Sequence, residues 1–119
     1  MKTIITFCAL LLCNIVLAQY PDNTIETPEV RAEAERLTEI YSAELGLDGT
    51  QLPIFEDKVG DYLTLRKEVI ETYQGKEALD KLTQLMVKES LEMKDLLTRI
   101  QYNKYKKIRQ TVQPIKTVE

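Results

Sequence analysis

The sequence predicts an all-helical protein, with four helices in a single domain over residues 28–113. Apolar residues recur at three- and four-residue spacing in four successive segments. Helix-capping and helix-breaking residues separate these segments. Strand-like alternation is absent, and runs of β-branched residues are short.

The N-terminal residues 1–18 have the pattern of a secretory signal peptide. A basic start at Lys2 precedes an apolar stretch and a small-residue cleavage site, Val16-x-Ala18. We expect cleavage between Ala18 and Tyr20, export to the periplasm, and tails at 19–27 and 114–119. A lipoprotein acylated at Cys13 is disfavoured, because the large Leu12 precedes it. No later segment approaches the roughly 20 apolar residues of a membrane span, so we expect no membrane insertion.

The first predicted helix opens at Thr27-Pro28-Glu29. Threonine is a good N-cap, proline fits the first helical position, and glutamate is favourable at the positive end of the helix dipole. Gly46 is the expected left-handed residue that ends this helix. Its apolar stripe comprises Val30, Ala34, Leu37 and Tyr41.

The second helix is predicted from about Thr50 to Tyr73. Gly60 inside it indicates a soft point or a close backbone approach, at a cost of about 1 kcal/mol relative to alanine. Ile54 and Leu65 lie on the flank of the apolar face. The face itself contains Leu52, Phe55, Val59, Tyr62, Leu63, Val69, Ile70 and Tyr73.

The third helix, Lys76 to Leu97, has a main apolar face and a second patch. Val87 and Leu91 form that patch, roughly 100° around the helix. It is either part of a wide core face or a contact surface for a partner. The fourth helix, Arg99 to about Val112, carries Lys104, Lys106 and Lys107 away from its apolar face. We take Ile54, Leu65, Val87, Leu91 and these three lysines as the candidate partner surface.

Two similar motifs lie 50 residues apart, each at a junction between helices. In the second, Leu97-Thr98-Arg99-Ile100-Gln101, threonine and glutamine are spaced to form a reciprocal capping box, with the leucine as a hydrophobic staple. In the first, Leu47, Asp48 and Gln51 occupy the same offsets. Pro53 complicates that assignment, since it would lose a hydrogen bond at the fifth helical position; Thr50 is the alternative cap.

This pair of motifs resembles the paired LTxxQ motifs of the CpxP/Spy family of small periplasmic stress proteins. The second motif matches in full, and the first has Asp48 in place of threonine. The leader ending in Ala-Gln looks like those of many exported Bacteroidetes proteins. The resemblance implies a thin four-helix layer that forms an antiparallel homodimer and binds partly unfolded envelope proteins without ATP. An alternative is a regulatory module that binds an envelope kinase or an anti-sigma factor.

Composition argues against several other functions. The chain has no histidine, and both cysteines, Cys8 and Cys13, lie in the leader. We therefore expect no enzyme activity, metal site or cofactor. The balance is acidic over residues 20–63, with 11 acidic and 3 basic side chains, and basic over 99–119, with 6 basic and 1 acidic. This asymmetry favours an antiparallel pair of copies, and an exported acidic chain is not typical of nucleic-acid binding.

Overall fold

The computed structural model describes residues 26–115, and within them it contains four α-helices and no β-strand. The helices are α1 (Pro28–Leu45), α2 (Gln51–Thr72), α3 (Gly75–Leu96) and α4 (Arg99–Val112). The all-helical prediction is confirmed. The predicted leader lies outside the described residues, as do residues 19–25 and 116–119 of the tails.

The ends of α1 follow the capping signals of the sequence. The Thr27 hydroxyl accepts a hydrogen bond from the Val30 amide at 3.2 Å. Gly46 adopts the left-handed conformation, with φ +66°, and its amide donates to the Ser42 carbonyl. Glycine reaches this conformation without the steric cost that a Cβ would bring.

The helices pack in a cycle, with α1 on α2, α2 on α3, α3 on α4 and α4 on α1. The connection between α2 and α3 is short, and Arg66 of α2 pairs with Glu89 of α3 while Tyr73 contacts Lys81. Residues later in α2 therefore contact residues earlier in α3, so the two helices form an antiparallel hairpin. The links from α1 to α2 and from α3 to α4 are the two motif corners.

Three aromatic rings from three helices form the centre of the core. Tyr41 of α1 lies with its ring centroid 5.3 Å from that of Phe55 of α2 and 5.4 Å from that of Tyr105 of α4. Phe55 and Tyr105 meet edge to face at 6.1 Å. Such tilted pairs stabilise the fold beyond the area they bury. Burial raises the pKa of both tyrosine hydroxyls well above the usual range.

The core face predicted for α2 is correct in the middle of the helix and wrong at Leu52 and Ile70. Phe55, Val59 and Tyr62 are buried, but Leu52 and Ile70 are exposed. Gly60 of α2 faces Ala34 of α1, and only six residues separate Ala34 from the start of α1. Because Tyr41 contacts Phe55 and Ala34 contacts Gly60, the two helices are antiparallel, and the first residue of α1, Pro28, falls short of Ile70.

A buried ion cluster joins α2, α3 and α4. Glu89 is only 1% exposed, and one of its oxygens accepts from Arg109 at 2.5 Å and from Arg66 at 3.1 Å. Arg109 also donates to the Met86 carbonyl and to the Ser90 hydroxyl. Burial raises the pKa of the Glu89 carboxyl, and the two guanidinium groups oppose that rise. Each charge in the cluster is costly to bury unless its partners remain.

Replacing Glu89 with alanine should destabilise the protein by about 3–5 kcal/mol, because it leaves Arg109 buried without its carboxylate. Urea denaturation of the two proteins measures the difference. Glu33→Ala is the matched control, since it removes a carboxylate from an exposed pair with Arg36 on α1 and should leave the midpoint nearly unchanged. Equal shifts for both variants would contradict the structural role assigned to the buried cluster.

Gly60→Ala should stabilise the protein by about 0.5–1 kcal/mol, because alanine has the higher helix propensity. A Cβ there would approach only the mobile end of the Glu26 side chain closely, at 2.6 Å, and would lie 3.7 Å from the Ala34 Cβ. Gly60→Leu should instead destabilise by about 1–3 kcal/mol through overpacking. A thermal melt in which alanine also lowers the transition would show that the helices tolerate no methyl group here.

Candidate functional site

The second motif forms the capping box that its sequence predicts. The Thr98 hydroxyl accepts from the Gln101 amide at 3.3 Å, and the Gln101 side-chain oxygen accepts from the Thr98 amide at 3.0 Å. Two backbone donors that the start of α4 would otherwise leave without partners are thereby satisfied.

The first motif is capped by Asp48, which decides between the two alternatives. The Asp48 carboxylate accepts from the amides of Thr50 at 2.9 Å and Gln51 at 2.7 Å. In return, the Gln51 side-chain oxygen accepts from the Asp48 amide at 3.1 Å. The Thr50 side chain makes no capping hydrogen bond. Gly49 and Thr50 form a turn, so Pro53 lies in the first turn of α2, where proline is tolerated.

The two corners contact each other directly through their glutamines. The side-chain amide of Gln51 donates to the side-chain oxygen of Gln101 at 2.8 Å, and Gln101 donates back to Gln51 at 3.1 Å. Gln51 is buried, so this reciprocal pair is largely withdrawn from water. Sequence reasoning missed the contact because it treated each capped corner separately.

Each glutamine also bonds the helix end that leads into the other corner. Gln51 donates to the Leu96 carbonyl at the end of α3, at 3.2 Å. Gln101 donates at 3.4 Å to the Leu45 carbonyl, at the end of α1, and at 3.3 Å to that of Gly46. Carbonyls in the last turn of a helix have no partner within it. One glutamine therefore serves the start of its own helix and the end of another.

The motif leucines complete this unit. Leu97 is buried in the core, and Leu47 packs against the core with part of its surface exposed. The six motif residues thus hold the four helices together. The side-chain amides of Gln51 and Gln101 are already paired within the protein, so the two corners form a structural centre and offer little for a ligand to bind.

The candidate partner surface lies on three separate helices. Val87 and Leu91 of α3 are 50% and 58% exposed. Leu91 is two residues from both Glu89 and Met93, which are buried, so it lies about 160° around the helix from them. The patch is therefore farther from the core than the predicted 100°. Ile54 is also exposed, whereas Leu65 is half-buried.

The three lysines are exposed on α4, and two of them contact other side chains. Lys104 lies 3.6 Å from Glu44 of α1, and Lys106 lies over the Tyr102 ring at 4.7 Å. Sequence reasoning missed Ile100 at the start of α4, which is 83% exposed. Its place between two polar motif residues was the available signal.

Two surface clefts lie between pairs of helices, and sequence reasoning found neither. The first, of about 640 Å³, lies between α1 and α2 and carries three glutamates; its lining residues are Glu35, Thr38, Glu39, Ser42, Ala43, Leu52 and Glu56. The second, of about 430 Å³, lies between α3 and the end of α4; its lining residues are Met86, Ser90, Lys106, Arg109, Gln110, Gln113, Pro114 and Ile115. Each cleft lies between two consecutive helices, and its shape depends on how the corner between them folds one helix against the other.

The described part of the chain contains no group of three or more acidic, histidine or cysteine side chains placed to hold a metal ion. None of the helices between residues 26 and 115 has the length and apolar character needed to cross a membrane. Comparison of the chain with models of known protein families, with curated proteins and with solved structures found no match.

Gln51→Ala and Gln101→Ala should each cost about 2–4 kcal/mol, because each glutamine makes several hydrogen bonds worth about 1 kcal/mol apiece. The effects should also be coupled by about 1 kcal/mol, since the two side chains bond each other. Denaturant unfolding of both single variants and the double variant measures this coupling.

Thr98→Ala is the control for the capping bonds alone and should cost about 1 kcal/mol. Strict additivity of the two glutamine variants, or a Gln101→Ala effect no larger than that of Thr98→Ala, would contradict the interlocked arrangement.

Proposed function

We propose that the protein is an exported, non-catalytic helical protein that binds partly unfolded proteins without ATP and limits their aggregation. The observation that carries this proposal is the pair of half-exposed apolar residues Val87 and Leu91, on the side of α3 away from the core. Apolar side chains exposed among charged ones suit weak and promiscuous binding of unfolded chains.

The hydrogen-bonded corners support this function, because the residues that join the helices are different from the apolar residues exposed on α3. The side-chain amides of Gln51 and Gln101 bond each other and the ends of the neighbouring helices. The exposed apolar residues on α3 take no part in those bonds, so evolution could vary them with little effect on the fold. The interlocked pair also supports the proposed kinship with CpxP/Spy proteins, since it gives a physical reason for carrying the motif twice.

We further propose an antiparallel homodimer located in the periplasm. The acidic side chains of the α1–α2 cleft and the exposed lysines of α4 have opposite charge, which favours association of one copy with another. A domain of this size buries a modest core, and a second copy would add to it.

The mature chain, residues 19–119, should suppress light scattering by an unrelated unfolding client at near-stoichiometric ratios. The double variant Val87→Asp, Leu91→Asp should lose most of this effect, because charge on the patch opposes apolar contact. Scattering of a thermally or chemically unfolded client measures it. The control is Ile100→Asp, which places one negative charge on an exposed apolar residue at a motif corner and is compared with each single variant, Val87→Asp and Leu91→Asp.

Sedimentation of the same proteins separates client binding from self-association. A double variant that becomes monomeric and inactive would assign the patch to the dimer interface. A wild-type protein that suppresses no aggregation would refute the chaperone function. In that case specific binding to an envelope kinase or anti-sigma domain would favour the regulatory alternative.

A further inference from the structure

The cleft between α3 and the end of α4 has the form of a built binding site. Its volume, about 430 Å³, falls in the range of ligand pockets. One wall is Met86 and Ser90 of α3, and the other is a face of α4 with Lys106, Arg109 and Gln110 at three- and four-residue spacing. Pro114 and Ile115 close the end and add apolar surface.

Two hydrogen bonds fix the end wall in place. The Gln113 backbone amide donates to the Arg109 carbonyl at 2.7 Å, which ends α4. The Gln113 side-chain oxygen accepts from the Tyr41 hydroxyl at 2.7 Å, which ties it to α1 and the aromatic core. Pro114 and Ile115 therefore follow directly from an anchored residue.

The cleft has a positive lining. Among residues 26–115, the charged side chains that line it are Lys106 and Arg109, and none of the lining residues is acidic. Arg109 is nine-tenths buried or more, and its Nε has no hydrogen-bond partner in the described part of the chain. The Glu89 carboxylate that partly neutralises it is buried beneath the surface and bonds Arg66 as well. The exposed charge at the rim is thus the ammonium of Lys106, which also lies over the ring of Tyr102, one turn earlier on α4.

The cleft between α1 and α2 provides an internal contrast. It is comparable in size, yet its charged lining consists of Glu35, Glu39 and Glu56. The same chain therefore presents two clefts of opposite charge, one between α1 and α2 and one between α3 and α4. The acidic α1–α2 cleft would attract a cationic segment and repel an anionic one. The basic α3–α4 cleft would attract an anionic segment and repel a cationic one.

We infer that the α3–α4 cleft is a subsite for an extended polypeptide segment in which an apolar side chain is flanked by carboxylates. The apolar side chain would contact Met86, Pro114 and Ile115, and a flanking carboxylate would pair with Lys106. This inference rests on the proposed function and names the substrate class of that binding: acidic, apolar segments of unfolded proteins.

The test is binding of two labelled short peptides to the full mature chain, followed by fluorescence anisotropy. In one peptide leucines alternate with glutamates, and in the other the same leucines alternate with lysines. The glutamate peptide should bind wild type at least about threefold more tightly at low salt, as expected for an exposed charge pair. The preference should shrink as salt is added.

Two variants localise the preference to the cleft. Lys106→Glu should reverse it, and Ile115→Asp should weaken the glutamate peptide by a similar factor. Lys107→Glu is the matched control: it is the next residue on the same helix, makes the same change in net charge, and does not line the cleft. It should reduce binding slightly and keep the order of the two peptides. Lys106→Gln, which removes the charge without reversing it, should give an intermediate preference.

Equal affinity of wild type for both peptides would overturn the inference. So would equal effects of Lys106→Glu and Lys107→Glu, which would show a response to overall charge. Tighter peptide binding by a chain ending at Ile115 would identify residues 116–119 as the occupant instead. If the protein still suppresses aggregation in any of these cases, the subsite assignment fails while the proposed function stands.

Discussion

The reciprocal hydrogen bonds between Gln51 and Gln101 are the constraint on which the rest of the fold depends. In each glutamine, the side-chain oxygen accepts a hydrogen bond from the backbone amide of the residue that caps its own helix. The side-chain nitrogen donates to the other glutamine and to a carbonyl at the end of the helix that precedes the other corner. Helix starts need acceptors and helix ends need donors, and an amide supplies both. Two such side chains in contact therefore provide a hydrogen-bond partner for a backbone group at each of four helix termini.

The frame around that point combines apolar and ionic contacts. The rings of Tyr41, Phe55 and Tyr105 fill the space next to the corners, and the cluster of Arg66, Glu89 and Arg109 ties α3 to its two neighbours farther along. Aromatic packing is tolerant of small shifts, whereas a buried ion cluster requires its partners at defined positions. Together they fix how α2, α3 and α4 lie against one another.

The surface outside this frame presents an apolar patch and two clefts of opposite charge. Val87 and Leu91 expose apolar area on one side of α3, and Met86 lines a positively charged cleft on another. The cleft between α1 and α2 is acidic. Under the proposed function, surfaces that differ in charge would select different segments of unfolded chains by weak, additive contacts.

The sequence by itself determined the four helices and the cap of the second corner, because capping and periodicity act over three or four residues; whether Asp48 or Thr50 caps the first corner was left to the structure. Thr27, Gly46 and the Thr98–Gln101 box carry their signals locally, and so does the apolar spacing that defines each core face. Tertiary structure alone decided that the corners meet, that Glu89 and Arg109 are buried together, and that Gly60 packs against Ala34 with room for a methyl group. It also decided that Ile70 stays exposed. These features depend on which helices become neighbours and where each one ends, and contacts between helices or their caps join residues up to 72 positions apart.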